Sequence, residues 1–83
     1  MKTSPGKRSK ISAMKRKIVS SSMMASIGYN PESKILEIEF NSGTIWQYYD
    51  VPKSEFNKMN KADSLGKYFL DNIKDCYEES RIR

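Results

Sequence analysis

Six cations stand close together near the start of this 83-residue chain: Lys7, Arg8, Lys10, Lys15, Arg16 and Lys17. With Lys2 they give residues 1–17 seven positive charges, and no Asp or Glu lies among them. Lys and Arg in such a run displace condensed counterions from a polyanion and hold its phosphates. The other eight Lys and Arg and all ten Asp and Glu fall in residues 18–83, which carry a slight negative balance. The formal +5 therefore belongs to an arm, and the rest of the chain is a mildly acidic body. The six clustered cations are the candidate nucleic-acid contacts. A basic run can equally be a solubilising tail or a contact for an acidic protein, so the partner class stays open at this level.

Other chemistry finds less support. There is no His, the commonest general base. Ser20-Ser21-Ser22 could supply a hydroxyl nucleophile, but no base is suggested near it, and the run reads better as the entry to a strand. Cys76 is the single cysteine, so no internal disulfide and no cysteine-based metal site is expected. It falls on an apolar helical stripe and reads as a core thiol. The carboxylates show no metal-ligand spacing, and Gly28, Gly43 and Gly66 are isolated rather than parts of a phosphate loop. No cofactor and no metal are expected, and the chain is not read as an enzyme.

The elements that position these residues follow from periodicity. Residues 1–10 are polar, with Ser, Pro and Gly, and read as a flexible segment. Ile11, Met14 and Ile18 sit at the spacing of a short basic amphipathic helix, one too short to be stable alone. Strands are expected at 25–29, 34–40 and 44–50. Asn30-Pro31-Glu32-Ser33 forms the first turn and Asn41-Ser42-Gly43 a three-residue hairpin loop with Gly43 left-handed. Pro52 opens a helix over about 53–61, with Phe56 and Met59 inward. Leu65, Tyr68, Phe69, Ile73, Cys76 and Tyr77 mark one face of a second helix, which Ser64 caps and only Asn72 interrupts. The fold class is α+β: a three-stranded antiparallel meander with two C-terminal helices on one face, carrying a flexible basic N-terminal arm. The domain division is arm 1–17 and body 18–83.

Register then assigns the aromatics. A loop at 41–43 sets Ile38 against Trp46 and Leu36 against Tyr48. A loop at 30–33 sets Tyr29 against Lys34, Ile27 against Leu36 and Ala25 against Ile38. Ala25, Ile27, Leu36, Ile38, Phe40, Trp46 and Tyr48 then share the helix-covered face. Trp46 and Tyr48 could otherwise form a stacking platform for bases, but on this register they pack in the core. The opposite face carries Ile35, Glu37, Glu39, Ile45, Gln47 and Tyr49. Of these, Tyr49, Gln47 and Ile45 are candidate surface contacts, while the two glutamates would repel a phosphate backbone.

Beyond single residues, the chain resembles a known family. Ser20-Ser21 is followed by Ile27-Gly28-Tyr29-Asn30, then Leu36, Ile38, Phe40 and Gly43, then Trp46-Gln47-Tyr48 and Val51-Pro52. Ala62, Ser64, Gly66, Tyr68-Phe69, Ile73 and Tyr77 complete the pattern. It is similar to the KTSC domain, named after the C-terminus of some lysyl-tRNA synthetases and also found in small free-standing bacterial and phage proteins. The family's central Tyr-x-Tyr is Trp-x-Tyr here, with Trp46 first. The likeness covers about residues 19–82 and leaves out the arm. It implies the α+β fold and, through the synthetase context, RNA contact.

Together these readings lead to a small non-enzymatic binding module of a bacterial or phage cytoplasm. It touches nucleic acid, RNA ahead of DNA, mainly through its arm. The alternative is a protein-interaction module, a regulator docking on a larger machine. No membrane association is expected.

Overall fold

Leu36, Ile38 and Phe40 alternate with Glu37 and Glu39, and that alternation sets which face of the sheet packs inward. In the computed structural model, which describes residues 15–83, the strands run β1 Lys17–Ile18, β2 Met24–Asn30, β3 Ile35–Phe40, β4 Ile45–Tyr48 and β5 Glu79–Arg81. They form one antiparallel sheet in the order β1-β2-β3-β4-β5. The α+β class holds, but the sheet has five strands rather than the expected meander of three. The two added strands are short and sit at the edges. The expected boundary between arm and body, 17/18, falls inside β1. The first half of the helix suggested for 11–18 lies outside the described residues; its second half is not helical, and its last two positions are strand.

The β3–β4 register is the expected one, with Ile38 opposite Trp46 and Leu36 opposite Tyr48. Gly43 closes that hairpin at φ +98, where its lack of a Cβ is needed. The β2–β3 register is two residues away from expectation: Tyr29 faces Leu36 and Ile27 faces Ile38. The Asn30 side chain accepts from the amides of Glu32 and Ser33, and Lys34 takes φ +58, so the loop runs one residue further than 30–33. A shift of two leaves every side chain on its expected face. The exception is Ala25. The pairing slips between Met24 and Ser26, and this bulge turns Met24 into the core in Ala25's place.

Helix α1, Lys53–Asn60, follows Pro52 and buries Met59, with Phe56 packed at its edge. Helix α2, Leu65–Tyr68, is capped by Ser64, whose hydroxyl accepts from the Lys67 amide. It runs on as a π-helical turn, Phe69–Ile73, in which the Lys74 amide reaches back to the Phe69 carbonyl. Phe69 and Ile73 are buried against Leu36, Ile38 and Tyr48. The helix ends there, short of the expected Tyr77. Asp75 at φ +64 turns the chain toward β5. Cys76 is consequently exposed and not a core thiol. Asn72, the break in the stripe, is exposed and donates to the Tyr68 carbonyl. Among the described residues no helix is long and apolar enough to cross a membrane.

Candidate nucleic-acid interface

Of the six arm cations, Lys7, Arg8 and Lys10 lie outside the described residues. The other three stand at the root of the arm and are placed differently from one another. Lys15 and Lys17 are exposed, whereas Arg16 is drawn against the face of the sheet opposite the helices. Its Nη1 pairs with Glu37 Oε2, and its Nε donates to Ser26 Oγ at 3.0 Å. Glu37 is fully buried. Its second oxygen accepts from Gln47 Nε2 at 2.9 Å, and Gln47 Oε1 in turn accepts from the Tyr49 hydroxyl at 3.0 Å. The Ser26 hydroxyl in turn donates to Glu39 Oε1 at 2.9 Å. A carboxylate with no solvent is tolerated when it is paired and fully hydrogen-bonded, and Arg16 with Gln47 meets that demand.

Gly28 makes this arrangement possible. A Cβ on Gly28 would stand 2.5 Å from the backbone oxygen of Lys15. Residues 15–16 therefore cross the sheet at a point where only glycine leaves room. β1 continues the anchoring: Lys17 pairs with Ile27, Ile18 with Ser26, and the Val19 amide donates to the Ala25 carbonyl at 3.1 Å. Gly28→Ala is expected to push residues 15–16 off the sheet at a cost of about 1–3 kcal/mol. Urea unfolding would give the loss, and faster hydrogen exchange at the Val19 amide would locate it.

The same crossing changes the expected outer face. Glu37 does not present free charge there. Ile45, a candidate surface contact, is buried at 3% exposure. Gln47 and Tyr49 are partly buried and engaged with each other. On the helix-covered face Tyr48 is buried as expected, while Trp46 is only partly so.

Beside the arm's root lies an open cleft of about 610 Å³ between residues 17–22 and the segment Asn60 to Leu65. Ser20, Ser21 and Ser64, far apart in sequence, meet there. Ser21 Oγ accepts from the amides of Met23 and Met24, which sets the entry into β2. Ser64 is spent on its cap. Ser20 and Ser22 are exposed on the rim, and Lys17 and Asp63 give the cleft both signs of charge. It can hydrogen-bond a polar group, and Lys17 stands at its edge. Among the described residues no group of three or more His, Cys, Asp or Glu could hold a metal.

A second polar cluster forms around α1. Glu55 on α1 accepts from the hydroxyls of Tyr68 and Tyr77. Burial, then the bond to Glu55, pushes the Tyr68 hydroxyl up to about 12, and the same two causes raise Tyr77. Burial raises Tyr29, whose hydroxyl donates to the Val51 carbonyl while its ring stacks on Phe56 at 4.8 Å. These tyrosines act as fixed donors that tie α1 to α2, to the segment before β5 and, through Val51 and Phe56, to β2.

The comparisons with known proteins agree with this architecture. The model of the KTSC domain family matches residues 20–77. An uncharacterised protein of Stutzerimonas stutzeri is 46% identical over 56 residues, covering 68% of this chain and 79% of its own length. The crystal structure of a KTSC domain protein from Yersinia pestis superposes with a TM-score of 0.82 at 38% identity, over 86% of this chain and all of the other. A lysine–tRNA ligase of Nostoc sp. is 33% identical over 54 residues, but the match takes in only 10% of that enzyme. Residues 20–77 and the sheet and helices they build place this chain in the KTSC domain family.

Proposed function

We propose that the chain is a small non-enzymatic nucleic-acid-binding module, with RNA ahead of DNA as its ligand, acting in a bacterial or phage-infected cytoplasm. The observation that carries this reading is charge segregation: seven cations and no acid in residues 1–17, against a slightly acidic remainder. Arg16 spends its charge inside the fold and in doing so holds Lys15 and Lys17 outward at the arm's root. The phosphate contacts are then Lys7, Arg8, Lys10, Lys15 and Lys17, with Arg16 as their anchor. The kinship with a segment of lysine–tRNA ligases supports RNA over DNA. The alternative, protein docking through the face of Tyr49, has less open surface to work with, because Ile45 and Glu37 are buried.

A salt titration of fluorescence anisotropy on labelled RNA and DNA of mixed sequence tests this. The log–log slope is expected at about −0.7 per phosphate on single strands and about −0.9 on duplex DNA. Lys15→Ala with Lys17→Ala removes two contacts and flattens the single-strand slope by about 1.4. Sequence preference from the arm is expected to be slight, since phosphate contacts do not read bases. No binding at low salt, or an unchanged slope in the double variant, removes the arm as the contact and leaves protein docking in front.

A further inference from the structure

Trp46 is the chain's single tryptophan, and it is not sealed into the core. With Leu70, which is 49% exposed, it walls an open groove of about 320 Å³. The floor is aromatic and fixed: the Phe69 ring meets Phe40 edge-on at 5.4 Å and Tyr48 edge-on at 5.5 Å. Met23, Lys74 just past the π-helical turn and Glu79 on β5 complete the lining. Neither charged group has a side-chain hydrogen bond or ion pair with another described residue.

We propose that this groove seats one unpaired nucleobase bearing an exocyclic amino group, stacked on Trp46. The inference rests on the nucleic-acid reading above and adds a base-contacting site to it. Size and shape fit a flat heteroaromatic ring, and indole is a strong stacking surface. The lining is more specific than an apolar slot. Lys74 can only donate and the Glu79 carboxylate can only accept. A donor and an acceptor lining one groove match the edge of cytosine, which offers an amino group next to ring acceptors, and of adenine. Uracil and thymine lack the amine and offer Glu79 only their single ring N3–H, so they match the lining less well than cytosine. An aliphatic peptide side chain would fill the groove and leave both charged groups unmatched. The flanks suit a backbone on either side. Arg81 is the cross-strand partner of Trp46, and Lys67 stands about one helical turn before Leu70; both are exposed.

The test uses the full chain and three unlabelled single-stranded hexamers of equal charge: oligocytidine, oligouridine and an abasic backbone. Trp46 emission reads the groove, and competition against a labelled strand reads total binding. Quenching of Trp46 by oligocytidine, with weaker quenching by oligouridine and none by the abasic strand, is the expected result. Oligocytidine should bind about tenfold tighter than the abasic strand. Leu70→Ser, at an exposed position, should abolish quenching without loss of fold, and Glu79→Ala should erase the cytosine preference. Equal binding of all three strands with Trp46 emission unchanged overturns the groove as a base site and leaves the arm reading standing. Absence of binding by all three removes both.

Discussion

Arg16→Ala is expected to destabilise the fold by about 3–5 kcal/mol, although it lies in a segment that charge alone assigns to a loose arm. Glu37 has no exposed surface, and among the described side chains it accepts from Arg16 and Gln47. Removing the guanidinium leaves a buried carboxylate with one neutral donor. The cost is that of an orphaned buried charge, which exceeds the worth of the pair itself. Urea unfolding of Arg16→Ala beside Lys15→Ala separates the two kinds of cation, because the exposed lysine should change stability by less than about 0.5 kcal/mol. Glu37→Gln offers a control: it keeps an acceptor for Gln47 and lowers the charge mismatch, so Arg16→Ala in that background should cost less. A loss below about 1 kcal/mol in Arg16→Ala would show that Arg16 does not hold the arm's root.

Phe69→Ala is expected to be at least as damaging, at about 3–5 kcal/mol. Phe69 is buried at 4% exposure and meets both Phe40 and Tyr48 edge-on. It is also the residue at which the helix widens into its π turn, so its ring fixes the spacing between that turn and the sheet. A domain this small has only a few kcal/mol to lose. Thermal unfolding followed by circular dichroism should show a collapsed or uncooperative transition. Trp46→Ala, at the partly exposed end of the same aromatic row, should cost clearly less. Equal losses at both positions would mean that Trp46 is core and that the groove beside it is closed.

The sheet's inner face was legible because it rests on alternation over a full strand, and Asn41-Ser42-Gly43 fixes the neighbouring register through a loop of known length. The β2–β3 register was not, since it depends on Lys34 adopting a positive φ, which a lysine seldom does. β1 and β5 were missed for a simpler reason. Two and three residues cannot display a period, and Lys17, Glu79 and Arg81 look like solvated charge. The apolar stripe runs past the true end of helix α2 because Cys76 and Tyr77 continue its spacing by coincidence, beyond a turn at Asp75 that needs only one residue to break the helix. The arm's charge was plain in composition. The division of labour within it was not: the Arg16–Glu37 pair spans 21 residues and exists because a glycine on β2 lets the chain cross.

That crossing at Gly28 also governs how the protein meets proteases. The bonds after Lys15, Arg16 and Lys17 are three adjacent tryptic sites. All three lie in chain that is clamped to the sheet, so cleavage has to wait for β1 to lift. The rate of nicking there becomes a clock for that local opening. A molecule cut after Lys17 has lost its guanidinium and keeps Glu37 sealed inside, so trimming the basic segment at that point produces a weakened body rather than a neutral one.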